Sequence, residues 1–220
     1  GRVRVQFPWQ EEKNKMTPWI RLIQPHSGAG KGFHFIPEIG EEVLVGHESQ
    51  NAEKPFVMGT HYNGSETSSY HTSGNDKKVI HTRSGTKIIL NDAEGSVFIE
   101  DPSGNTYLMD GQGNINVNAP KNMSFTAGEN VLINAGNNIV ASAQKNVNIL
   151  AGEDITETAN DDYNLTASNI IETAEVGRSS MAKKITENMQ SGAYISTKDA
   201  INVESAKEVN VNSGKQVKMQ

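Results

Sequence analysis

The sequence predicts an all-β chain, with a small barrel at the front and a long β-repeat needle behind it. Three observations carry this reading. Short apolar runs between turn residues fill the first 62 positions. From residue 114 onward an eight-residue unit recurs, and apolar side chains fall on one parity for over a hundred positions. Composition is the third: of 220 residues only 35% are hydrophobic and 6% aromatic, too few for a large conventional core. Val, Ile, Ala, Asn, Gly and Thr are nonetheless plentiful, which argues against disorder and for a narrow repetitive core.

Residues 1–62 contain both Trp, five of the seven Pro and four of the six His, and their charges balance at seven of each sign. Apolar runs at 3–7, 19–23, 42–45 and 56–58 are short strands. A closed sheet would remove the edges that such strands expose, so a barrel is expected. Gly28-Ala29-Gly30-Lys31-Gly32 lies between two strands. A phosphate-binding loop needs GxxxxGK[ST] followed by a helix; Gly32 follows Lys31 and no helical pattern comes after, so this is a connection.

Residues 63–113 read as a linker and short-strand neck. Asn63-Gly64-Ser65-Glu66-Thr67-Ser68-Ser69 is a polar linker, and strands at 86–90, 96–100 and 105–109 lie between Gly85, Gly95, Gly104 and Gly113. Asp101-Pro102-Ser103-Gly104 has β-turn chemistry, Pro presetting φ and Gly supplying φ > 0.

Residues 114–220 are the octad needle. Second positions of the units include Ile115, Met123, Val131, Ile139, Val147, Ile155, Tyr163 and Ile171; fourth positions include Val117, Phe125, Ile133, Ile149 and Leu165. Sixth positions are Ala119, Ala127, Ala135, Ala143, Ala151, Ala159 and Ala167. The octad fades between Val176 and Ser191 and returns at Ile201, Val203, Val209 and Val211. Twenty-three Val, Ile, Leu, Met, Phe or Tyr stand at odd numbers of this region and six at even ones. Period two is the property of a strand, so one face is buried throughout.

An octad spans roughly 26 Å, too short to ring a filled core alone. Three octads of one chain, or one octad from each of three chains, could close a layer. A position restricted to alanine seven times running is expected where three copies crowd on an axis, and successive octads look equivalent, which favours the trimer. The expected trimer interface is therefore Ile115, Val117, Ala119, Met123, Phe125, Ala127, Val131, Ile133, Ala135, Ile139, Val147, Ile149, Ala151, Ile155, Leu165, Ile171, Ile201, Val203, Val209 and Val211. Glu157 and Glu175 fall on the same face, either as solvated spots or as a cation site on the axis. The outward Leu132, Val140 and Leu150 have no account in the pattern.

Several classes of function are disfavoured. Cysteine is absent, so disulfides, thiolate metal sites and Cys nucleophiles are excluded. A net charge of −6 gives no basic footprint for nucleic acid. The pairs Glu11/Glu12 and Glu41/Glu42 point to opposite faces of a strand, which suits solvation better than acid–base catalysis. His26, His34, His47, His61, His71 and His81 form no HxH or HxxxH pair. No GxSxG elbow is present. No catalytic residue, metal ligand or cofactor site is expected.

The residues of the front domain then carry a resemblance. Gly1-Arg2-Val3-Arg4-Val5-Gln6-Phe7-Pro8-Trp9, Trp19-Ile20-Arg21, Gln24-Pro25, Gly28 to Gly32, Phe35-Ile36-Pro37-Glu38-Ile39-Gly40-Glu41-Glu42-Val43, Pro55-Phe56-Val57-Met58-Gly59 and Tyr62-Asn63 follow in an order that resembles the VgrG spike proteins of type VI secretion systems and their contractile-phage relatives. One departure is the loop Gln50-Asn51-Ala52-Glu53-Lys54, where the family has an acidic turn. The resemblance implies an oligosaccharide/oligonucleotide-binding (OB) type barrel, then a trimeric, intertwined β-helix that punctures target envelopes without chemical turnover. It implies assembly in the bacterial cytoplasm and injection into a target cell or the surroundings. Implied partners are tube and baseplate proteins through family domains preceding Gly1, secreted effectors, and a PAAR-type tip protein against Val217, Lys218, Met219 and Gln220. The competing reading is a monomeric β-solenoid adhesin or carbohydrate-binding module.

Overall fold

A computed structural model describes residues 1–192, 195, 197, 198, 200–215 and 217. The chain divides into two units, Gly1–Ile139 and Val140–Gln220. As the composition requires, it is almost entirely extended; the described helix is one four-residue turn, α1 (Pro8–Glu11), with a short 3-10 turn at Glu48–Gln50.

In the first unit, β1 (Arg2–Val3), β2 (Ile20–Leu22), β5 (Val43–His47) and β6 (Pro55–Thr60) form a sheet in the order β1-β2-β6-β5. β2 and β6 run parallel with Arg21 opposite Phe56, and the other pairs are antiparallel. Leu44 and Val45 of β5 face Gly59 and Val57, so Met58 is the extra residue of a bulge that bends β6 and raises local twist. Ile20 and Val57 are the buried apolar side chains. Thr17 is also buried: its hydroxyl accepts from the Val5 amide at 3.0 Å and its own amide donates to the Val5 carbonyl at 2.8 Å. The glycine-rich stretch forms the ribbon β3 (Ser27–Gly28) and β4 (Lys31–Gly32), reversed at Gly30 with φ of +69°. No helix follows it among the described residues, so it lacks the dipole that would cradle a phosphate.

The second sheet is a five-stranded antiparallel meander of β7 (Lys77–His81), β8 (Lys87–Asn91), β9 (Ser96–Glu100), β10 (Thr106–Met109) and β11 (Ile115–Asn118), in sequence order. Three of its four turns share one chemistry. Thr82 accepts on its hydroxyl from the Thr86 amide, Asp101 on its carboxylate from the Asn105 amide, and Asp110 likewise from the Asn114 amide, at 3.2, 3.0 and 3.1 Å. Gly85, Gly104 and Gly113, each one residue before the acceptor's partner, have φ near +90°. Side-chain acceptor plus left-handed glycine closes each of these reversals. β11 carries the first octad, so that octad is paired within the chain: Val117 lies opposite Tyr107 and Ile115 opposite Met109. Across β8 and β9, Lys87 Nζ meets Glu100 Oε2 at 2.5 Å, and this carboxylate holds the Lys87 ammonium above its ordinary range.

Beyond Asn118 no strand or helix is assigned among the described residues. The chain is extended and bends at 120–121, 128–129, 136–137, 144–145, 152–153, 160–161, 168, 175–176, 183, 190–191, 198, 206–207 and 214–215.

Candidate functional site

Among the described residues no catalytic constellation is assembled. Among the described residues no three His, Asp or Glu converge as metal ligands, and no helix is long and apolar enough to cross a membrane. The six expected non-ligand histidines are dispersed. His81 Nδ1 faces the Tyr70 hydroxyl at 3.0 Å, with the rings edge to face at 5.8 Å. A groove of ≈ 510 Å³ lies beside the β3–β4 ribbon, with Arg21, Lys31, Phe33 and His34 among its walls; its lining contains no paired acid and base.

The feature that demands a function is an apolar face without cover. Every Val, Ile, Leu and Met of the expected interface is exposed in the isolated chain. Uncovered apolar side chains recurring at this spacing within each unit mark an interaction site. The exposure is graded. Apart from Ile171, the expected interface residues larger than alanine are 47–78% exposed, Phe125 being the highest, whereas Leu132, Val140 and Leu150 are 82–91% exposed. The column side chains are thus screened in part by their own chain, and the three unexplained apolar residues stand on the opposite side. Beyond Asn118 no backbone–backbone hydrogen bond joins described residues. Backbone donors and acceptors left unpaired inside the chain need water or a partner.

The bends resolve the interval where the octad faded. They recur every eight residues, except that 168 to 175 and 183 to 190 are seven apart. The alanine column immediately before each bend therefore continues through Ala174 and Ala182, then Met189, Thr197, Ser205 and Ser213. At the last two the serine hydroxyls accept from the amides of Lys207 and Lys215, each at 3.3 Å. Counting back two and four positions from each column residue gives the screened face, and between the short units that face is even-numbered. Ile170 is 56% exposed and Ile171 88%. Ile171, expected in the interface, thus stands on the side of Leu150, and Ile170 takes its column. Glu175 lies in a bend, off the column. Glu157 is on it and accepts from the Tyr163 hydroxyl at 2.7 Å, which pushes the Tyr163 pKa up. Val217 is exposed; Lys218, Met219 and Gln220 lie outside the described residues.

Sequence inspection missed the extension of this face into the meander. Ile80, Ile88, Ile99, Tyr107 and Val117 stand in register across five strands, and Leu90, Val97, Met109 and Ile115 form the next row. Ile80, Ile88, Leu90, Ile99 and Met109 are exposed. Ile88-Ile89-Leu90 and Val97-Phe98-Ile99 are continuous apolar runs, so alternation does not single out these rows in the sequence.

The profile of the type VI secretion system/phage-baseplate injector OB domain matches residues 1–62. The chain is 38% identical over 85 residues to type VI secretion system spike protein VgrG2a of Pseudomonas aeruginosa, covering 37% of this chain and 10% of that protein. Spike protein VgrG3 of Vibrio cholerae is 30% identical over 83 residues, 36% of this chain and 8% of that protein. Actin cross-linking toxin VgrG1 of Vibrio cholerae is 34% identical over 73 residues, 32% of this chain and 7% of that protein. The aligned part of the chain spans a tenth or less of each relative's length. The injector OB-domain match over residues 1–62 and the likeness to VgrG proteins at 30–38% identity indicate a spike protein of the VgrG family of type VI secretion systems.

Proposed function

We propose that this chain is a non-enzymatic, force-bearing segment of a homotrimeric spike. Residues 1–62 form the OB-type base, 63–113 the neck, and 114–220 a β-helical needle in which three copies interlock. The observation that carries this reading is the screened but uncovered octad face, which beyond Asn118 runs on without a ladder among the described residues. Three copies would place these columns on a shared axis, with backbone groups pairing between chains. The proposed interface is the column set predicted from the sequence, with Ile170 in place of Ile171, continued onto the Ile88/Ile99 and Leu90/Met109 rows of the meander. Unwinding one chain would then break contacts with two others, which gives slow unfolding under load.

In this role the needle delivers and does not react. It is assembled in the bacterial cytoplasm on tube and baseplate proteins, and is driven outward with secreted effectors and a PAAR-type tip protein seated near Val217. Among the described residues beyond Asn118 no backbone hydrogen bond joins one octad to another, which disfavours the monomeric solenoid, since that would hydrogen-bond its own coils. Sedimentation of the 220-residue chain decides between them. The spike reading expects a mass three times 23.9 kDa that does not change on dilution; a monomer at micromolar concentration would overturn it.

A further inference from the structure

The regular octads of 114–167 fix which face is inside but do not fix how far one chain is displaced along another. A shift of one octad sets apolar on apolar and alanine on alanine. Repetitive strands of this kind are prone to register slip. Residues 168–191 differ in two independent ways. The two seven-residue units lie here, so the screened positions switch from odd to even at Ile170 and back to odd at Ile185. The screened face also carries charge here. Glu172 stands two positions before Ala174 and Arg178 four before Ala182, and Arg178 Nε meets Glu172 Oε2 at 2.7 Å.

We propose that 168–191 is the register lock of the self-association surface, with the Glu172–Arg178 pair as its key and further copies of this chain as its partner. The proposal rests on the trimeric reading above. In register, each copy sets its short unit beside two other short units, and the carboxylates and guanidiniums neutralise one another at adjacent levels. Displaced by one octad, a short unit faces a long one, and Glu172 and Arg178 meet the Leu165 or Ile185 levels of the other copies. An ion pair taken from water is tolerated only with its partners in place, and polar groups in apolar seams are best attested as devices that fix register.

The chain contains no cysteine, so introduced thiols report register without background. Ala174→Cys and Ala182→Cys chains, distinguished by tag mass, are co-expressed, oxidised and analysed as covalent dimers. With Glu172 and Arg178 intact, 174–174 and 182–182 links are expected and 174–182 links are not. In Glu172→Leu/Arg178→Leu chains, 174–182 links are expected to rise to a yield comparable with the in-register ones. The exchanged pair Glu172→Arg/Arg178→Glu is expected to restore exclusivity, and it carries the test if the double-leucine chain does not assemble. Exclusive in-register links in the double-leucine trimer, mixed links in the exchanged pair, or no links at all from a threefold-mass species would overturn the lock. A monomeric mass would instead overturn the trimeric reading itself.

Discussion

Residues 77–118 and the described residues of 140–217 are both short extended segments separated by tight bends, yet only the first set pairs with itself. The difference lies in the bends. In the meander, Gly85, Gly95, Gly104 and Gly113 adopt φ between +66° and +99°, and the chain reverses at each. Among the described residues no positive φ occurs beyond Gly113, although Gly128, Gly136 and Gly152 all occupy bends. A bend without a left-handed residue redirects the chain without folding it back, so the next segment cannot become the antiparallel neighbour of the last. Regular sequence therefore does not mean a self-sufficient fold. The octads specify a face, and the ladder must come from elsewhere.

The strongest way to break this contrast is to charge the face. Ile133→Asp puts a carboxylate into the column, while Asn134→Asp puts the same group on the opposite side. If three copies close on Ile133, an unpaired buried charge costs about 3–5 kcal/mol per chain. Solution mass should fall to that of the monomer for Ile133→Asp and stay threefold for Asn134→Asp. Equal behaviour of the two variants would refute the assigned face.

How much of this was legible beforehand follows from the physics of each region. Period two and the alanine column mark the face because alternation is a local property of extended backbone. The resemblance of residues 1–62 to an injector OB domain was legible from ordered motifs such as Trp19-Ile20-Arg21 and Pro55-Phe56-Val57, and the profile match falls on those residues. The hydrogen bonds of this region form a four-stranded sheet and a separate ribbon, and pairing of such short strands depends on partners distant in sequence. Ile171 illustrates the opposite failure. Fixed counting by eight carried the pattern past 168, where the bend loses one residue and the alternation changes parity. Ala174 and Ala182 held the correct spacing, but two consecutive Ile at 170 and 171 concealed it.

A second prediction separates the two kinds of bend directly. Gly111 has φ of +73°, and a Cβ there would sit 2.0 Å from the Glu94 carbonyl oxygen of the neighbouring turn. No rotamer relieves a backbone clash, so Gly111→Ala must displace the Gly95 or the Gly111 turn; the left-handed conformation alone costs about 1–3 kcal/mol. Gly128 has nothing within 4 Å of the same position and no positive φ. A lower melting temperature and faster proteolysis around 94–111 are expected for Gly111→Ala, with Gly128→Ala close to the parent. A Gly128→Ala chain that melts as low as Gly111→Ala would show that octad bends are as constrained as the reversals.

The smallest effect is expected from acid, and it should be confined to the meander. Asp101 accepts from the Asn105 side-chain amide at 2.7 Å, from the Ser103 hydroxyl at 2.7 Å and from both backbone amides at 3.0 Å. These donors, with the Asn105 side chain first, hold its carboxyl at about 2, below the ordinary 3.8. Asp110 is lowered in the same direction, chiefly by Asn114. Because the folded pKa is depressed, the stabilisation is fully present above 3.8 and is lost as pH falls toward about 2. Both carboxylates are exposed, so solvent screening keeps the effect modest. NMR titration of the Asp101 carboxyl should give a midpoint near 2, and Asp101→Ala should flatten the acid limb of the melting curve. A midpoint at the ordinary carboxylate value would mean that the hydrogen-bonded turn does not persist in solution, and with it would go the distinction between reversals that close within one chain and bends that wait for another.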